Sequence, residues 1–306
     1  MRLGFMFAGQ GAQFPGMGRD LYDSSPAAKA IFDEADEVLG RTLSKLCFEG
    51  TAEELTSCAN CQPAIYAMSQ ACLAAFKEEL PDEVPAICGG LSLGEFSAFC
   101  AAGTFGFADG LRIVAKRGEL MDAACRETSG GMAAILGANM DIVSSIANEA
   151  GVDIANLNCP GQVVVSGEKT ALEKALKLFA DKEIRAVELT VAGAYHSRLM
   201  ASASESFGRY LADVPLKKPN YPVVQNVTGT VSGEIESIRR NLTLQVCSSV
   251  RWEDCVRTMM KHCDMLVEFG PGSVLAGFMK RIDRSFPNAS VNSVDSLKAL
   301  LGKLIG

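Results

Sequence analysis

The sequence predicts an α/β fold with a parallel sheet and a small inserted ferredoxin-like subdomain, and three observations predict it. Two short apolar segments, residues 3–8 and 84–88, end abruptly in Gly-rich turns, as buried parallel strands do. Just after the second, a tight turn at Ser92 leads into a helix-compatible run, residues 93–102, closed by Gly103. Between about residues 130 and 191 the apolar pattern reads β-α-β-β-α-β, the order of a ferredoxin-like unit.

The bulk properties suit that class. A chain of 306 residues can hold one large core, or a large domain carrying a smaller one. An apolar fraction of 48% with 21% charged residues describes a folded globule. Mean hydropathy is only +0.15, and no run approaches the roughly 18 apolar residues that a membrane-spanning helix needs. Residues 1–8 run into a Gly/Gln loop rather than a small-residue cleavage site, so a buried strand is expected there in place of a signal peptide. Eleven cysteines, an odd number, are expected to be reduced thiols in a cytoplasmic protein. Cys58-Ala-Asn-Cys61 lacks a second pair at zinc spacing and reads as apolar packing before metal or redox chemistry. A net charge of −7 disfavours nucleic acid as the main partner, since phosphate neutralisation needs a basic face.

In chain order, the helix after Ser92 is followed by an amphipathic segment, residues 107–121, that carries Arg117. The inserted unit then reads as a strand at 132–136, a helix at 140–150, strands at 152–157 and 162–166, a Lys/Glu/Leu/Ala helix at 169–181 and a strand at 185–191. This divides the chain into a large domain, 1–128 and 192–306, and an insertion, 129–191. Segments 222–227 and 265–269 read as strands returning to the large domain, the second entering Gly270-Pro271-Gly272.

Gly90-Leu91-Ser92-Leu93-Gly94 is a G-x-S-x-G match. A serine on a cramped strand-to-helix turn needs small neighbours, and the helix start offers N–H groups to a developing oxyanion. A serine nucleophile also needs a base, and the chain has two histidines. His262 falls late in a helix-like run, where capping explains it. His196, in Gly193-Ala194-Tyr195-His196-Ser197, sits where the inserted unit rejoins the large one, and such junctions form clefts.

The sequence resembles the malonyl-CoA:acyl carrier protein transacylases of fatty acid synthesis, a family that also supplies polyketide synthase acyltransferase domains. The resemblance spans nearly the whole chain. It rests on Gly9-Gln10-Gly11-Ala12-Gln13, Gly90-Leu91-Ser92-Leu93-Gly94-Glu95, Lys116-Arg117-Gly118, Asn156-Leu157-Asn158-Cys159-Pro160-Gly161-Gln162, Gly193-Ala194-Tyr195-His196-Ser197 and Glu268-Phe269-Gly270-Pro271-Gly272, six motifs in the family's order. It implies a hydrolase-like large domain with the ferredoxin-like insertion. Ser92 would be acylated by malonyl-CoA with His196 as base, and the malonyl group then passed to the phosphopantetheine thiol of acyl carrier protein in a ping-pong transfer.

The resemblance further implies an oxyanion hole from the N–H groups of Gln10 and Leu93, and Gln245 orienting the histidine through a carbonyl oxygen. Arg117, which alone reads as a solvated helix charge, becomes a bidentate clamp on the malonyl carboxylate. Met121, Met132, Tyr195 and Val274 fall at pocket positions, although core packing also accounts for the two methionines and the valine. Tyr195 stands where malonyl-selective members commonly carry phenylalanine, and it leaves little room for a 2-methyl branch. Leu91 departs from the histidine that many members place before the nucleophile. Asn158 and Gln162 would lie along the pantetheine arm, with ordinary turn chemistry as the alternative for the asparagine. Arg185, Lys280 and Arg281 would dock the acidic carrier protein or remain plain surface charges. No metal or other cofactor, no nucleic acid and no membrane is implied, and a monomer is expected. The alternatives are an acyltransferase serving a polyketide synthase and an acyl-serine hydrolase.

Overall fold

A computed structural model describes residues 1–305. Strand β1 (Leu3–Phe7) is buried at all five positions, as an unbroken apolar run in the middle of a covered sheet must be. Four helices follow: α1 (Arg19–Ser24), α2 (Pro26–Leu39), α3 (Leu43–Glu49) and α4 (Cys58–Glu79). Helix α2 is delimited by its sequence: the Ser25 hydroxyl accepts from Ala28 N–H, Pro26 occupies the first turn and Gly40 closes the helix in the left-handed region. Helix α4 runs on through Pro63, which cannot donate to the carbonyl of Ala59, and the Arg41 guanidinium supplies that missing donor at 2.9 Å.

Strand β2 (Pro85–Gly90), α5 (Gly94–Ala101) and α6 (Phe107–Glu127) come next. The strand runs through Gly89 and Gly90, two residues beyond the apolar segment that predicts it, because Gly90 pairs with Phe7 of β1. The inserted unit comprises β3 (Gly130–Leu136), α7 (Met140–Ala150), β4 (Asp153–Cys159), β5 (Gln162–Glu168), α8 (Lys169–Ala180) and β6 (Arg185–Glu188). Its strands form an antiparallel sheet in the order β4-β5-β3-β6. The predicted strand at 185–191 ends at Glu188; Leu189 N–H still bonds the Met132 carbonyl at 2.9 Å, and residues 189–191 line a cavity.

The chain returns through α9 (Ala201–Ala212), the two-residue strands β7 (Val224–Gln225) and β8 (Thr230–Val231), α10 (Ile235–Leu244), α11 (Trp252–Met260), β9 (Met265–Phe269), α12 (Val274–Ile282), β10 (Asn288–Val291) and α13 (Val294–Ile305). The large sheet is parallel throughout, in the order β10-β9-β1-β2. Segment 222–227 is not the full return strand its composition predicts. It makes one parallel bridge, Cys88 to Val223, and then pairs β7 with β8 in a small hairpin. The ladder ends there because Asn226 turns its amide onto the chain around Ser92.

Phe5, Phe76 and Phe269 meet edge to face at 4.9–5.8 Å where α4 covers the sheet. Each such pair contributes roughly 0.5–1.5 kcal/mol beyond its buried area. Among the described residues no helix is long and apolar enough to cross a membrane.

Candidate active site

Ser92 sits between β2 and α5 with φ +50°, a left-handed backbone that a non-glycine residue holds only under constraint. A Cβ on Gly90 would lie 2.0 Å from the carbonyl of Gly94, and one on Gly94 would lie 2.1 Å from the carbonyl of Phe7. Both glycines of the G-x-S-x-G match are therefore required by backbone contacts. Asn226 and Gln245 hold the turn from both sides. Ser92 N–H donates to Asn226 Oδ1 at 2.6 Å, and Gln245 Nε2 donates to the Ser92 carbonyl at 2.8 Å.

His196 also has a left-handed backbone, φ +56°, and is buried. Its Nε2 lies 2.8 Å from Ser92 Oγ, and its Nδ1 lies 2.8 Å from the main-chain carbonyl of Gln245. A carbonyl can only accept, so Nδ1 carries the proton and Nε2 is bare toward the serine hydroxyl. This tautomer is the one a general base needs. The acceptor is the backbone of Gln245, which leaves its side chain available for other contacts.

Burial, reinforced by the charge of Arg117, lowers His196 to about 4. A depressed imidazole remains unprotonated above its own pKa, so the base form persists across the weakly acidic range. The acid limb of kcat/KM is therefore expected near pH 4, well below that of an ordinary histidine. Initial rates measured down the acid range check this, and a limb near pH 6.5 would show an ordinary imidazole.

Arg117 lies on α6, 1% exposed, with its guanidinium 5.4 Å over the Phe96 ring. Its Nη1 donates to Gln62 Oε1 at 2.8 Å, and its Nη2 donates to Gln245 Oε1 at 2.9 Å and to Ser92 Oγ at 3.1 Å. The solvated helix charge that its own helix suggests is thus a buried cation against Ser92 Oγ. Burial lowers it to about 10, which leaves it protonated at neutral pH.

A cavity of ≈ 340 Å³ opens over Ser92 and His196. The β1 loop, Gly9 to Gln13, forms one wall, and Met132, Asn156, Asn158 and Val164 of the inserted sheet face it. Met121, Tyr195, Val274 and Leu91 also line it. The Tyr195 hydroxyl is taken up by Cys58 Sγ–H at 3.1 Å, so the ring rather than the hydroxyl limits the space beside the base. A Cβ on Gly9 would lie 2.5 Å from the Leu91 carbonyl, which is how the loop reaches the serine turn. The Gln10 side chain is tied to Gln62 and Cys58, and among the described residues neither Gln10 N–H nor Leu93 N–H donates to a protein group. Asn158 is buried with an unpartnered Oδ1.

The structure does not bring the remaining predicted residues to the reacting atoms. Gln162 starts β5 outside the cavity lining, with its amide oxygen 4.0 Å from Cys159 Sγ. Arg185 is exposed at the start of β6, opposite Leu136 and at the end away from residues 189–191. Lys280 and Arg281 are exposed in the last turn of α12, whose earlier residues Val274 and Phe278 line the cavity. His262 is exposed just beyond α11. Sequence reasoning missed Gln62, Asn226 and the role of Glu95. The Gln62-Pro63 pair in a helix and the Asn226 ending a short apolar run were the available signals, and neither identifies a partner.

The family described as "Acyl transferase domain" matches residues 4–303. The malonyl CoA-acyl carrier protein transacylase of Bacillus subtilis (strain 168) is 40% identical over 310 residues, covering 99% of this chain and 97% of that protein. The crystal structure of malonyl CoA-acyl carrier protein transacylase from Clostridium perfringens superposes with a TM-score of 0.95 at 36% identity, covering 100% of this chain and 98% of that one. A malonyl-transacylase solved in complex with its type II PKS acyl-carrier protein superposes with a TM-score of 0.95 at 35% identity, covering 99% and 100% of the two chains.

Proposed function

The chain belongs to the acyl transferase domain family, and from that premise we propose that Ser92 carries a malonyl group from malonyl-CoA to the phosphopantetheine thiol of acyl carrier protein. The enzyme is an [acyl-carrier-protein] S-malonyltransferase that supplies extender units for fatty acid synthesis. The observation that carries the reading is one connected set of contacts, with Ser92 Oγ bonded both to a bare His196 Nε2 and to the Arg117 guanidinium.

In the first half-reaction Ser92 Oγ attacks the thioester carbonyl as its proton passes to His196 Nε2. The oxyanion is received by Gln10 N–H and Leu93 N–H, and each such donor supplies roughly 3–4 kcal/mol to the transition state. Collapse of the intermediate breaks the C–S bond, and the imidazolium proton leaves with the coenzyme A thiol. In the second half-reaction the carrier's thiol gives its proton to His196 and attacks the malonyl ester, and the proton returns to Ser92 Oγ. Arg117 pairs with the malonyl carboxylate, and Tyr195, Met121, Met132 and Val274 bound the space around the acyl chain. Asn158 offers its unpartnered amide oxygen to the pantetheine arm. Incubation with labelled malonyl-CoA and holo carrier protein tests the reading: label on the carrier supports it, label in free malonate indicates a hydrolase, and no transfer refutes both.

Lys280 and Arg281, exposed within a turn of the cavity-lining Phe278, are the positive charges we assign to carrier docking on a chain whose net charge is −7. Reversing both to glutamate is expected to raise the apparent KM for carrier protein about tenfold, with KM for malonyl-CoA changed less than about twofold. Initial rates at varied carrier concentration check this, and the effect should shrink with added salt. We place the enzyme as a monomer in the cytoplasm, where eleven free thiols stay reduced.

A further inference from the structure

Glu95, the second residue of α5, is fully buried beneath the nucleophile turn. Its Oε2 accepts from Gln245 Nε2 at 2.6 Å and from Asn226 N–H at 3.3 Å, while Oε1 has no partner. Arg117 is equally buried, and its own contacts are to neutral oxygens on Gln62, Ser92 and Gln245. One amide therefore separates a buried carboxylate from a buried guanidinium. Gln245 donates to the first through Nε2 and accepts from the second through Oε1. The reverse orientation would set N–H against cation and C=O against carboxylate, so the two charges fix the amide between them.

A malonyl group on Ser92 brings a second carboxylate to this cation, because Arg117 Nη2 already lies 3.1 Å from Ser92 Oγ. Two carboxylates sharing one cation away from water do not both stay ionised easily. The malonyl group can touch the guanidinium directly, whereas Glu95 reaches it only through Gln245.

We propose that Glu95 is the relayed counter-ion of Arg117 in the empty site, and that it takes up a proton from solvent when Ser92 is malonylated. The inference rests on the malonyl-transfer reading and adds to it a charge-balancing residue outside the reacting set. Burial holds the Cys255 thiol of α11 neutral, the Cys61 thiol and the Tyr195 hydroxyl are pushed up, His196 is depressed to about 4, and Arg117 stays protonated. Cys58, also beside Arg117, is lowered by its hydrogen bonds with Cys61 and Tyr195, and the Glu95→Gln variant separates its proton from that of Glu95. Burial also raises Glu95 to about 7, so a further push falls within the neutral range. Its protonation follows the sign of that shift: malonylation becomes less favourable as pH rises through Glu95's range and more favourable as pH falls.

The test follows stoichiometric acylation of the intact enzyme in weakly buffered solution near pH 7.5 with an indicator dye, and mass spectrometry of the Ser92 peptide reports acylation. Malonyl-CoA is expected to draw in roughly half a proton per acylated site. Acetyl-CoA at equal acylation should draw in almost none, and neither should malonyl-CoA with Glu95→Gln, which keeps an acceptor oxygen but cannot ionise. Equal uptake with both thioesters, or uptake retained in Glu95→Gln, overturns the proposal while the malonyl adduct leaves the functional reading intact. If Glu95→Gln does not fold, infrared difference spectra of the wild-type enzyme with ¹³C-labelled malonyl-CoA decide. A deuterium-sensitive protonated-carboxyl band from the protein supports the proposal, and its absence overturns it. If no adduct forms on Ser92, the functional reading falls and this inference with it.

Discussion

Ser92→Ala is expected to lower malonyl transfer by on the order of 10⁵-fold or more and to abolish the acyl-enzyme adduct. The size follows from the geometry. Ser92 Oγ is the atom that the bare Nε2 of His196 and the Arg117 guanidinium both contact, at 2.8 and 3.1 Å. No other hydroxyl or thiol shares that pair of partners among the described residues. Removing the oxygen leaves His196 correctly oriented by Gln245 but with nothing to deprotonate. In the proposed mechanism the serine and histidine act as a unit, so His196→Ala should cost a similar amount, and the double variant little more than either. Transfer rates together with intact-protein mass after exposure to malonyl-CoA check this. A malonyl adduct surviving in Ser92→Ala would move the nucleophile elsewhere.

Arg117→Ala is expected to reduce kcat/KM for malonyl-CoA by about 10²–10³-fold while acetyl transfer is preserved or rises. A malonyl carboxylate entering a buried pocket without a cation loses its hydration and gains no partner. An acetyl group has no charge to strand. The variant also removes the charge that helps depress His196, so the acid limb should move upward toward that of an ordinary imidazole. Arg117 also contacts Ser92 Oγ and Gln245, so some loss common to both thioesters is compatible with the specificity role. The ratio of malonyl to acetyl kcat/KM is the quantity that decides, and equal loss on both substrates would remove that role.

Much of the architecture was legible because local sequence carries it. The apolar run of β1, the glycines around Ser92 and the β-α-β-β-α-β order each follow from nearest-neighbour constraints: burial on both faces, a turn without room for a Cβ, and alternating periodicities. Boundaries failed where long-range contacts override local preference. Gly90 is an extended strand residue because β1 lies beside it, and the regular strand ends at Glu188 where residues 189–191 come to wall the cavity. Segment 222–227 reads as a strand by composition, yet Asn226 is recruited to the nucleophile turn from 134 residues away.

The candidate nucleophile Ser92 was legible in the sequence itself, because G-x-S-x-G on a strand-to-helix turn is a local steric requirement, and with two histidines in the chain the candidates for its base were few. What only the tertiary structure decided is how the charges around that serine are balanced. Arg117 reads as a surface cation on its own helix, and Glu95 as an ordinary residue after a motif. Packing of α5, α6 and the end of α10 buries both, with the Gln245 amide between them. Electrostatics in a buried site depends on which charges lie within a few ångströms in space, and spacing along the chain does not record that distance.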